Sequence, residues 1–125
     1  MNKFLIVAIW TLAIIGCSND DNPKEVSIRL ENTSQSEYKN IVINTSTGFV
    51  DFPDLNPGER SKYQVFDRAY RYAYVKVEID GIEQVLQPID YVGETPLENG
   101  NYTYEIARDP RNIAGATLIL TLVRD

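Results

Sequence analysis

The sequence predicts one all-β domain over residues 26–125, a sandwich of about seven short strands. Three observations predict it. Apolar residues recur with period two from Val26 onward, the spacing of a strand with one face buried. Clusters of Gly, Pro, Asn and Asp break that pattern at short intervals, and no segment in this range has a convincing apolar stripe at helical spacing.

Val26, Ile28 and Leu30 alternate with Ser27, Arg29 and Glu31, which makes the first strand half-buried. After the polar turn Asn32 to Glu37, a second strand runs from Tyr38 to Asn44. Ile41 and Ile43 lie on one face and Val42 on the other, as expected inside a sheet. A short strand from Phe49 to Phe52 follows. Pro57-Gly58 then fits the centre of a type II turn, with φ preset by proline and positive φ accepted by glycine, before a return strand from Ser61 to Phe66.

Ala69 to Ile79 is the longest expected strand. Ala73, Val75, Val77 and Ile79 share one parity, which stands Tyr70, Tyr72 and Tyr74 in a row on the opposite face with Lys76 and Glu78. Asp80-Gly81 closes a hairpin into Ile82 to Gln87. A two-residue turn would set Glu78 opposite Glu83, so charge repulsion favours a three-residue loop with a bulge and Val75 opposite Val85. Pro88 to Pro96 reads as loop, with a turn at Asp90-Tyr91-Val92-Gly93. Tyr102, Tyr104 and Ile106 share a face of the next strand, Arg108 to Asn112 reads as a turn, and Ala116 to Val123 is apolar on both faces, as for an interior strand.

Tyr102, two residues after the Asn99-Gly100 corner, resembles the tyrosine corner of immunoglobulin-like sandwiches, in which the hydroxyl bonds to backbone of the preceding loop. Tyr104 stands where antibody domains place a cysteine, so the resemblance is to the architecture. The expected fold is a single immunoglobulin-like or transthyretin-like sandwich.

Residues 1–16 have the build of a secretory signal: Lys3, an apolar run from Phe4 to Ile15 interrupted by Thr11, and the small residue Gly16. The run falls short of the ~20 residues a membrane-spanning helix needs. Leu12-Ala13-Ile14-Ile15-Gly16-Cys17 resembles the lipobox of bacterial lipoproteins, which usually has Leu where this chain has Ile14. The resemblance implies a diacylglyceryl thioether on Cys17, cleavage before it, and a tether over residues 17–25. Ser18-Asn19-Asp20-Asp21 resembles the acidic signal that sends lipoproteins of the Bacteroidota to the outer face of the outer membrane; the same residues also read as a solvated charged tether. The lipobox, the acidic tether and a small domain containing Asn-Gly-Asn-Tyr-Thr-Tyr-Glu-Ile together resemble small sandwich lipoproteins of that group. The expected location is the outer membrane, lipid-anchored, at the cell surface or on its periplasmic face.

Of 125 residues, removal of the first sixteen leaves 109, enough for one core without disulfides. Lys3 is the leader's one charged residue, so the net charge falls from −6 to −7. An acidic chain of this kind lacks the basic patch that nucleic acid or an anionic lipid surface requires. Histidine is absent and the single cysteine is Cys17, which removes His-dependent nucleophilic triads and the usual zinc sites.

Asp51, Asp54, Asp67, Asp90 and Glu94 are the loop carboxylates available for calcium or acid–base work, but no calcium-loop spacing is present. Three glycosylation sequons begin at Asn32, Asn44 and Asn101, and chance accounts for them in a bacterial lipoprotein. The candidate binding face is Tyr70, Tyr72 and Tyr74 with Arg71 and Lys76, an aromatic platform for a protein or glycan; its alternative is core or cross-strand packing. The expectation is a non-enzymatic interaction domain with no cofactor and no metal. An accessory subunit of an outer-membrane uptake or adhesion complex is the second reading, and a small carboxylate hydrolase the third.

Overall fold

The computed structural model describes residues 25 to 88, 90 to 113 and 116 to 125, apart from the side chains of 110 to 117. Among them are eight strands, one more than expected: β1 (Val26–Asn32), β2 (Tyr38–Asn44), β3 (Phe49–Phe52), β4 (Gln64–Phe66), β5 (Tyr74–Ile79), β6 (Ile82–Leu86), β7 (Gly100–Ile113) and β8 (Ala116–Arg124). They form two packed four-stranded sheets, β4-β1-β7-β8 and β3-β2-β5-β6. All neighbours are antiparallel except β1 and β7. The fold is an all-β sandwich.

Its core lies where the period-two pattern puts it. Val26, Ile28 and Leu30 of β1 and Tyr102, Tyr104 and Ile106 of β7 meet Ile41 and Ile43 of β2 and Val75, Val77 and Ile79 of β5. Each such side chain contributes about 1.5–3 kcal/mol when fully buried, and this inward-facing set defines the register of both sheets. The corner at Tyr102 is formed: its hydroxyl donates to the Glu98 carbonyl across 2.8 Å. Glu59 N donates to Asn56 O with Gly58 at φ 80°, as a type II turn requires.

Six expectations are corrected. The return strand is only Gln64–Phe66, and Arg60 makes an isolated bridge to Glu31. The strand expected from Ala69 begins at Tyr74, because residues 67–73 carry the chain from one sheet to the other. The carbonyls of this crossing are taken up elsewhere, Arg68 O by the Thr45 hydroxyl and Ala69 O by Leu97 N. The hairpin uses the two-residue turn, with Asp80 and Gly81 both at positive φ and Glu78 opposite Glu83. Asn40 Nδ2 donates to Glu78, which offsets the like-charge contact on this solvent-facing side.

Arg108 to Asn112 is strand. β1 leaves β7 after Ile106, so Pro110 lies where β7 has a neighbour on one side only, within a register shift against β8. Finally, β8 is an edge strand. Its second apolar face, Ile119 and Val123, is partly exposed, while β8 touches β6 along the side where the sheets meet. The loop turn also falls one residue later than expected, closed by Glu94 N to Tyr91 O.

Strand direction fixes what shares an end of the sandwich. Val26 pairs with Phe66 and Gly100, and Asn44 pairs with Phe49 and Tyr74. Loops 45–48, 67–73 and 87–99 therefore gather at the end where Glu25 leads into β1. Loops 33–37 and 53–63 and the Asp80-Gly81 turn lie at the opposite end.

Candidate functional site

The loops at the Glu25 end are built around aromatic rings. Tyr70 follows β4 on the crossing segment and is buried, 8% exposed. Tyr91, on the loop after β6, stacks on it with centroids 4.5 Å apart and planes at 15°. Tyr72 stacks on the same Tyr91 ring at 5.8 Å and 18°, giving a three-ring pile Tyr70-Tyr91-Tyr72. Offset aromatic pairs of this kind add about 0.5–1.5 kcal/mol beyond area burial, beside the Leu97 N to Ala69 O hydrogen bond that also joins the two loops. The Tyr91 hydroxyl reaches the Asn44 carbonyl at 3.4 Å, which ties in the third loop.

A groove of ≈ 530 Å³ opens beside the pile. Tyr72 supplies its aromatic wall, Ala73, Leu86 and Pro88 its aliphatic surface, and Asp90 and Glu94 its charges. Val92, also in the lining, is 87% exposed at the tip of the Tyr91–Glu94 turn. The turn is held by Val92 N donating to Asp90 Oδ1 at 3.0 Å. Burial, and then a hydrogen bond to the Glu94 carboxylate, push the Tyr72 hydroxyl above the ordinary phenol range. Burial does the same for Tyr91. Both stay protonated at neutral pH, so among the described residues lining the groove the full charges are its two carboxylates.

The expected row of three tyrosines on one strand face is not formed, because Tyr70 and Tyr72 precede β5 and Tyr70 is buried. Of Tyr70, Tyr72 and Tyr74, only Tyr72 lines the groove. Tyr74 is half-buried on the outer face of β5, edge-on to Phe49 at 5.6 Å and 85°. Arg71 is exposed on the crossing segment and Lys76 is half-buried two residues beyond Tyr74. The sequence reading missed Tyr91, Val92, Leu86 and Pro88; the signal was an exposed-looking Tyr-Val pair inside an otherwise polar loop. Cys17 and Ser18, Asn19, Asp20 and Asp21 lie outside the described residues.

The five candidate carboxylates do not gather at one site. Asp51 lies on β3 rather than in a loop and shares a recess with Asp54, which accepts from Asn40 N; Asp67 lines a different recess with Arg68 and Glu98, and Asp90 and Glu94 share the groove. Among the described residues no group of three or more acidic, histidine or cysteine side chains is placed to hold a metal ion. The Asn32 sequon is closed to modification, because the Asn32 amide is fully buried and donates to Ser36 O and Leu55 O.

No protein-family model matches the chain, and no curated protein matches it. Among solved structures it is similar to a protein from Eubacterium rectale known by NMR, with TM-score 0.53 and 14% identity over 86% of this chain and 97% of that one. The likeness is one of fold.

Proposed function

We propose that this chain is a membrane-tethered, non-enzymatic lipoprotein whose sandwich binds a protein or glycan at the cell surface. The groove beside Tyr72 carries the reading. It combines an aromatic wall, exposed aliphatic surface at Val92 and a few polar groups on loops ordered by a rigid sandwich, the usual make-up of a recognition site. The lipobox-like Leu12 to Cys17 supplies the anchor, and the two or three acyl chains it implies hold a protein on a membrane almost permanently at ~0.8 kcal/mol per buried methylene. Ser18 to Asp21 supplies the export signal to the outer face.

A photo-crosslinking residue at Val92, compared with one at Gln35 in the opposite loop, tests the binding reading in intact cells. Adducts specific to position 92 support it, and equal adducts at both positions or none at 92 refute it. Alkyne fatty-acid labelling of the chain and of its Cys17→Ser variant tests the anchor; label that persists in the variant refutes it.

A further inference from the structure

We infer that the groove beside Tyr72 receives a lysine- or arginine-bearing segment of a protein held in the same membrane. The inference rests on the tethered binding-domain reading above and deepens it with two observations, position and charge.

Position comes from the point where the tether joins. Glu25 N donates to Asn99 Oδ1 at 3.0 Å and Gly100 N to Glu25 O at 3.2 Å, so the chain leaves for Cys17 beside the last residues of loop 87–99, the loop that supplies Pro88, Asp90, Val92 and Glu94 to the groove. Residues 17–24 can span at most about 28 Å, the fully extended length of eight residues. The groove is thereby confined to the few nanometres next to the bilayer. A membrane-held protein presents its juxtamembrane segments in that layer.

Charge selects the chemistry of the occupant. Asp90 and Glu94 are the charged residues lining the groove, while Arg68 belongs to the neighbouring recess and Arg71 is absent from the lining. One face of Tyr72 is covered by Tyr91, and a ring backed in this way offers its other π face to a cation. The aliphatic stem of a lysine or arginine suits the surface of Val92, Leu86 and Pro88 while its head meets the carboxylates. The same carboxylates repel an anionic bilayer, so the occupant is the protein segment and not the lipid.

The test uses the full lipidated chain in zwitterionic detergent micelles and a labelled Lys-Val-Lys-Val-Lys peptide, followed by anisotropy. Asp90→Asn with Glu94→Gln should weaken binding about tenfold, whereas Asp51→Asn with Glu83→Gln, an equal charge change elsewhere, should leave it within about twofold. Glu-Val-Glu-Val-Glu and maltopentaose should not compete. Equal weakening by both double variants, competition by maltopentaose, or no binding overturns the inference. Crosslinking at Val92 in cells would then still decide the broader binding reading separately.

Discussion

The Tyr104 hydroxyl donates to the Tyr70 carbonyl across 2.7 Å in the buried centre of the sandwich. It joins the middle of β7 to the crossing segment that carries Tyr70 and Tyr72, so a core residue holds the base of the aromatic pile. Burial drives the Tyr104 hydroxyl above the ordinary phenol range, which keeps it a donor at neutral pH. Tyr104→Phe removes the bond while keeping the ring and orphans a buried carbonyl. It should cost about 1–2 kcal/mol in urea unfolding. It should also broaden the Tyr72 and Tyr91 NMR signals. Unchanged stability contradicts this role.

Asn32 is a second buried polar anchor. Its amide donates to Ser36 O at 2.7 Å and Leu55 O at 3.1 Å, and its Oδ1 accepts from Ser34 N and Ser34 Oγ at 2.9 and 2.8 Å. With four partners lost at about 1 kcal/mol each, Asn32→Ala should destabilise the domain by about 3–4 kcal/mol in urea unfolding. A cost below 1 kcal/mol would show that these loops do not depend on it.

The hairpin register is tested by charge reversal. Glu83 faces Glu78 directly, so Glu83→Lys should raise stability by about 0.5 kcal/mol at low salt, with the gain fading at high salt. A bulged register would separate the two residues and give no salt-dependent gain.

Asp125 links acidity to folding. Burial acts to raise its carboxyl, but hydrogen bonds from Tyr63 and Thr103 and the charges of Arg29 and Arg60 hold it below its ordinary value of 3.8. A depressed value in the folded state means that the stabilisation is fully present above about pH 5 and is lost as pH falls through the depressed value. The wild type should therefore lose more stability between pH 7 and pH 3 than Asp125→Asn does. Equal losses contradict the linkage.

Much of the sandwich was legible because burial writes period two into a strand. β1, β2 and β3 begin where the alternation begins, and the tyrosine corner follows from its spacing to Asn99-Gly100. Failures arose where sequence spacing carries no information on long-range pairing. The alternation at Ala69 to Ala73 resembles a strand, yet the carbonyls of Arg68, Ala69 and Tyr70 bond to Thr45, Leu97 and Tyr104, side chains and backbone from distant segments. Ala116 to Val123 looks interior because it meets its own sheet's core on one side and carries Ile119 and Val123 on the other, although it has one strand neighbour. For the site, Tyr72 was legible as a candidate. Its partner Tyr91 was not, since the two meet only after β6 returns the chain to the same end.

The most direct measurement is the height of the groove above the membrane. Under the proposed lipidation of Cys17, a single introduced thiol can carry a donor dye, at Val92→Cys or at Gln35→Cys, in the full chain reconstituted into liposomes with acceptor-labelled headgroups. β1 alone separates the two ends by about 23 Å. The account predicts clearly stronger energy transfer from position 92 than from position 35; equal transfer, or stronger transfer from 35, contradicts it.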